Sequence, residues 1–186
     1  MARYRTVPRY HIGRAFAYFD SSSISASDTI TSATFSLYGK SITNEDNDGL
    51  DYIGVVEVQG GSVGSDTALA TGDYNDCGDA VDNPTKNGSD IDFGSISLVG
   101  YNDWSFSDLT WVAKSGEQPS SGTAGITYLG FREGHDIEDT QIATGSNKKN
   151  DFRCWSADDT GTSRDPKLVV VHSAGASFTP KAAWFN

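Results

Sequence analysis

The sequence predicts an all-β fold, an antiparallel two-sheet sandwich of jelly-roll type, and three observations predict it. Apolar residues alternate with polar ones at a period of two, no window carries a convincing period of 3.6, and Gly, Ser, Thr, Asp and Asn crowd between the short apolar runs. With 186 residues the chain is long enough to bury one sizeable core, which favours one domain over two. The expected organisation is a basic N-terminal arm over residues 1–12, a sandwich over 13–173 and a tail over 174–186.

Taken in chain order, alternation bounded by turn residues marks strands at Gly13–Asp20, Thr29–Gly39, Asp51–Gln59, Ile91–Val99, Leu109–Lys114, Ala124–Arg132, Asn150–Ala157 and Lys167–His172. Thr29–Gly39 is the clearest: Ala33, Phe35 and Leu37 share one face and Thr34, Ser36 and Tyr38 the other, as in a strand packed on one side and wet on the other. About eight short antiparallel strands point to two packed sheets, and the absence of the immunoglobulin Cys, Trp, Cys spacing places a jelly roll first. The connections near Asn44–Asp51, Asp66–Ser89 and Gly134–Lys149 are long for a compact sandwich, and long loops are where function sits.

The net charge is −11, unevenly spread. Arg3, Arg5, Arg9 and Arg14 stand in the first 14 residues without an acid, and taking those four from −11 leaves −15 for the remaining 172. An acidic body disfavours nucleic acid and anionic membranes as partners. No apolar stretch approaches the roughly 20 residues that span a bilayer, and the N-terminus lacks the apolar core of a signal peptide, so the expectation is a chain made in a cytoplasm, as for a virion protein, or an extracellular one if processing removed a leader. Cys77 and Cys154 are too few for a disulfide framework and lack metal-site spacing; two free thiols are expected.

Four segments fall in order along the chain: Gly13-Arg14-Ala15-Phe16-Ala17-Tyr18-Phe19-Asp20, Ile30-Thr31-Ser32-Ala33-Thr34-Phe35-Ser36-Leu37-Tyr38, Leu129-Gly130-Phe131-Arg132-Glu133-Gly134-His135-Asp136 and Asp159-Thr160-Gly161-Thr162-Ser163-Arg164-Asp165-Pro166-Lys167-Leu168-Val169-Val170. Together they resemble the DNRLRE domain, also described as carbohydrate-binding module family 96, over residues 13 to 172. The resemblance implies a jelly-roll sandwich that serves recognition or assembly, as in secreted multidomain proteins, some alginate-active systems and phage structural proteins. The expectation is that no catalytic domain or leader accompanies it, which favours a stand-alone virion protein. The acidic body argues against alginate, because a polyanion would need a local basic patch or bridging cations.

Each chemical motif has a structural counterpart. Asp159-Thr160-Gly161 matches the aspartic protease signature, but in a single copy without an apolar strand before it; the expectation is a turn with Gly161 left-handed. Arg132-Glu133-Gly134-His135-Asp136 gathers a cation, acids and a base, yet strand neighbours point to opposite faces, so His135 and Asp136 form no pair without a special turn. There the expectation is a strand leaving into a Gly turn, with Arg132 pairing a carboxylate across the sheet. Asn44, Asp46, Asp48 and Gly49 fit positions 1, 3, 5 and 6 of the EF-hand loop while Val55 stands at position 12, so a structural calcium here would lean on backbone carbonyls. Asp73, Asp76, Asp79 and Asp82 form a weaker candidate of the same kind. Tyr101 and Trp104 flank a turn, where exposed rings stack on sugars; Trp111 and Trp155 are expected in the core. Serines lack His and Asp companions at catalytic spacing.

The functional expectation is a non-enzymatic structural protein of a phage virion, a capsid decoration or tail-associated component. It would dock on other virion proteins, and on copies of itself, through Arg3, Arg5 and Arg9 of the arm and Trp184 and Phe185 of the tail. The rival is a carbohydrate-binding module that recognises a cell-surface or matrix glycan through Tyr101 and Trp104. No cofactor is expected other than a structural calcium at Asn44, Asp46 and Asp48.

Overall fold

A computed structural model describes residues 12–58, 71–118, 123–141 and 148–175. The expected docking residues Arg3, Arg5, Arg9, Trp184 and Phe185 lie outside them. The strands are β1 (Ala15–Asp20), β2 (Thr29–Asn44), β3 (Tyr52–Glu57), β4 (Ile91–Asp92), β5 (Tyr101–Ser105), β6 (Ile126–Glu133), β7 (Asn150–Cys154) and β8 (Lys167–Ser173), with a one-turn helix α1 (Gly134–Ile137) directly after β6. They form two antiparallel sheets packed on one another: β1-β6-β3-β4 in the first, and β5-β2-β7 in the second with β8 also beside β2. The fold is therefore the expected β-sandwich. Among the described residues no helix is long and apolar enough to cross a membrane.

The 16-residue β2 is the spine of the second sheet. Thr29–Ser36 pairs with β8 and Gly39–Asn44 with β7, while β5 takes the other edge at Thr34–Tyr38. β7 and β8 thus lie end to end along one edge of β2, interrupted by the excursion 155–166. The predicted alternation holds on the inner face, where Ala33, Phe35 and Leu37 are buried. Phe35 joins the two sheets: its ring lies 5.9 Å from Phe19 of β1, 5.8 Å from Phe131 of β6 and 5.7 Å from Trp104 of β5. Ser36 departs from the wet-face expectation, being buried between Asp103 and Lys167 in register.

Three expectations are corrected. Ile91–Val99 is strand only at Ile91–Asp92, because the Asp92 carboxylate accepts the Gly94 N–H and winds Phe93–Ser95 into a 3-10 turn. Leu109–Lys114 is a 3-10 turn over Leu109–Trp111, capped by Asp108, which accepts from the backbone and hydroxyl of Thr110. Both are Asx caps competing successfully with strand propensity. The third concerns Tyr101–Ser105, read as a turn edge with exposed rings. It is β5, and Trp104 is 1% exposed, its indole N–H donating across the core to the Ile53 carbonyl at 3.2 Å.

The outer face of the first sheet is covered by the segment 71–90, which bridges to β3 at Val56↔Lys86 and just beyond it at Val58↔Cys77. Cys77 is fully buried there, while Cys154 is half-buried, and both are free thiols as expected. Burial pushes the Cys77 thiol up to about 12 despite the opposing effect of Arg14 and Arg132.

Two outcomes follow. Phe35→Ala, which empties the site joining both sheets, is expected to cost about 3–5 kcal/mol in urea denaturation. A thiol titration at neutral pH is expected to find Cys77 unreactive in the native chain and both thiols reactive in denaturant.

Candidate functional site

The end of β6 organises one rim of the sandwich. Phe131 faces the core, so Arg132 must face the covered outer side, and its side chain is 0% exposed. A guanidinium there requires neutralisation. The chain supplies it by turning one helical turn after Glu133, which brings Asp136 back four residues: Arg132 Nε donates to Asp136 Oδ2 at 2.7 Å, and an Arg132 terminal nitrogen also donates to the Asp136 carbonyl. The remaining donors reach the carbonyls of Ala80 (2.9 Å) and Val81 (2.7 Å). Arg14 grips the same carboxylate through Nε and a terminal nitrogen, both at 2.8 Å, and lies over the Tyr74 ring. Arg132 accordingly pairs at i, i+4 rather than across the sheet, which corrects the expectation. Gly134 is required by close approach, since a Cβ there would run into the Leu50 carbonyl oxygen and the Tyr52 ring.

The same turn sends His135 the other way, into the loop between β2 and β3. Its Nε2 stands 3.1 Å from Asp48 Oδ2 and 3.3 Å from Asp46 Oδ2. Glu133, which caps α1 through the His135 N–H, holds the ring by Nδ1 at 2.7 Å. Asp46 Oδ1 is met by Lys148 Nζ at 2.8 Å, and Asp48 Oδ1 accepts the Leu50 N–H at 3.1 Å. Asn150 buttresses the group: its Nδ2 donates to Asp51 (2.7 Å) and Glu133 (3.3 Å), and its Oδ1 accepts from the backbone of Glu45 and Asp46. Burial by itself would depress the His135 imidazole, but the Glu133 and Asp48 carboxylates outweigh it and hold it above the ordinary histidine range. Burial and the neighbouring Glu138 carboxylate raise the Tyr52 phenol well above its usual value.

Of the expected calcium ligands, the fold brings Asp46 and Asp48 together and excludes Asn44, whose Oδ1 accepts the Asn47 N–H at 3.2 Å. His135, read in the sequence as a strand neighbour of no consequence, is the group that joins them. The second acidic run does not converge: Asp79 is tied to Thr85 by two bonds of 2.6 Å, Asp82 accepts from Asn83 and Asp73 is buried. Asp159-Thr160-Gly161 is the expected turn, with Gly161 at φ 85° and Asp159 accepting the Ser156 N–H.

The second sheet's outer face carries a row of half-buried rings beside cations. Tyr38 and Tyr101 meet edge to face at 5.2 Å, and Lys167 lies 3.6 Å over Tyr101. Tyr101 also donates its hydroxyl to the carbonyls of Ser163 and Asp165. Trp155, expected in the core, stands on this face with Lys40 and Arg164 each 4.2 Å from its ring. Around Trp155, Asp159, Thr160, Gly161 and Arg164 line a shallow cavity of about 200 Å³. The pair Tyr101 and Trp104 is therefore split: Tyr101 belongs to this face, and the buried Trp104 has no ring face to offer a sugar.

No family model, curated protein or solved structure matches this chain. Asp136→Asn, which leaves Arg14 and Arg132 short of their shared anion, is expected to lower unfolding free energy by about 3–5 kcal/mol. Gly134→Ala should also destabilise the fold, by displacing the β2–β3 loop; denaturant curves measure both.

Proposed function

We propose that the chain is a non-enzymatic structural protein of a phage virion, a capsid decoration or tail-associated component that acts by displaying its sandwich and contacting neighbours. The observation that carries this reading is the exposed apolar row on β8. Val169 and Val171 are 51% and 52% exposed on the outer face, and among the described residues the far edge of β8 pairs with no strand. Apolar side chains beside an open strand edge are a contact surface for another subunit, and an edge left unguarded is otherwise an aggregation hazard. Val99, 87% exposed in the turn before β5, is a further apolar group on the surface. The four ordered segments that resemble the DNRLRE domain support the same reading.

The row of Tyr38, Tyr101 and Trp155 favours a second reading, a carbohydrate-binding module. Their cations are shallow caps, each costing about 0.5–1 kcal/mol to displace from an exposed ring. Lys40, Arg164 and Lys167 also place three cations on this face, one of them paired with Asp159 at 3.8 Å, where an acidic glycan would need positive charge on a chain of net charge −11.

Mass spectrometry of purified particles from the producing strain is expected to find the chain in fixed stoichiometry, and Val171→Glu to reduce its incorporation without changing its Tm. Particles free of the chain overturn the assembly reading. On a glycan array, selective binding that Trp155→Ala abolishes would instead establish the module, and silence would dismiss it.

A further inference from the structure

We infer that Asp46, Asp48 and His135 form a binding site for a divalent first-row transition ion of the zinc type. The inference is independent of the particle and glycan readings.

Ligand atoms from two parts of the chain face one another: one each from Asp46, Asp48 and His135, all within 4.8 Å, with His135 Nε2 nearest Oδ2 of both carboxylates. The other polar atom of each side chain is held by a different group. Glu133 takes His135 Nδ1, Lys148 takes Asp46 Oδ1, and the Leu50 N–H takes Asp48 Oδ1. That arrangement suits the outer sphere of a metal site: a carboxylate on the remote imidazole nitrogen orients the ring, an ion that displaces the proton from the near nitrogen would meet its lone pair, and each carboxylate offers one oxygen.

The donor set, with its imidazole, selects the class of ion. Zinc bonds of about 2.0–2.1 Å in a tetrahedral shell place ligand atoms about 3.3 Å apart. Two of the three separations, 3.1 and 3.3 Å from His135 Nε2, lie near that value, and all three ligand atoms lie within 4.8 Å of one another. Calcium, with bonds of about 2.3–2.6 Å and a preference for six to eight oxygens, would need the set to expand and would gain nothing from an imidazole.

Charge points the same way. Asp46, Asp48 and Glu133 meet one imidazole, Lys148 adjoins Asp46, Asp51 is reached only through Asn150, and the Asp46 and His135 side chains are 1% and 4% exposed. A dication that displaces the imidazole proton would sit among these carboxylates in a poorly hydrated pocket. Asp48, whose side chain is 37% exposed, marks the side from which an ion enters and on which water completes the shell.

The test uses the full chain, stripped with chelator and titrated calorimetrically with ZnCl₂ and separately with CaCl₂. Zinc is expected to bind with 1:1 stoichiometry and to raise Tm, and CoCl₂ is expected to give the visible absorption of a low-coordinate site. His135→Gln should abolish both signals, and Glu133→Gln, which frees the imidazole without removing a ligand, should weaken zinc about 10–100-fold. Should His135→Gln fail to fold, Asp48→Asn carries the test, because its half-exposed side chain supports no core packing. Absence of zinc binding overturns the proposal. So does calcium binding that His135→Gln leaves intact, which would return the loop to an oxygen-only site.

Discussion

A guanidinium that water cannot reach sets the terms for one whole end of this molecule. Arg132 sits on the covered face of β6 because Phe131 beside it is committed to the core, and a buried cation must be matched by an anion and by acceptors for its remaining N–H groups. Asp136 is the anion, the carbonyls of Ala80 and Val81 are the acceptors, and Arg14 closes the group from the start of the chain. Through these bonds one ion cluster ties β6, the segment 71–90 and the entry to β1. The helical turn that delivers Asp136 to Arg132 also delivers His135, on the opposite side, to Asp46 and Asp48. Structural clamp and candidate site are two faces of one turn.

The two sheets have opposite fates. The first buries both faces, the inner against the second sheet and the outer beneath the segment carrying Cys77, whose thiol is correspondingly hard to ionise. The second is spanned by one long strand, and its outer face keeps exposed valines on β8 and rings capped by lysine and arginine. The excursion 155–166 between β7 and β8 gives that face its relief. It sets Trp155 between Lys40 and Arg164, and it lays the Ser163 and Asp165 carbonyls on the Tyr101 hydroxyl. The proposed contact with a partner or a sugar falls on this sheet, and the proposed ion site on the rim.

Much of the architecture was legible because it depends on local periodicity. Alternation in β2 separated Ala33, Phe35 and Leu37 from Thr34 and Tyr38, and the two-sheet sandwich followed from the number of such runs. Where local side chains compete for the backbone the reading failed: Asp92 and Asp108 cap short turns inside stretches of good strand composition. Trp104 and Trp155 exchanged places for a related reason. Which face of a strand looks inward depends on register against its neighbours, and Phe35↔Trp104 pairing put the indole of Trp104 in the core.

The sequence by itself determined the fold class, the reduced cysteines, the left-handed turn at Gly161 and half of the candidate site, since Asp46 and Asp48 lie two residues apart in one loop. The spacing of Arg132 and Asp136 was also present in it, as the i, i+4 signature of a helical ion pair, although it reads equally as strand and turn. Only the tertiary structure decided that His135, 87 residues beyond Asp48, meets those carboxylates, that Asn44 turns away to cap its own loop, and that Tyr101 and Trp155 share a face without Trp104. Convergence of distant polar atoms leaves no periodic trace in a chain. It arises when a buried charge forces a turn, and the turn fixes where the next side chain points.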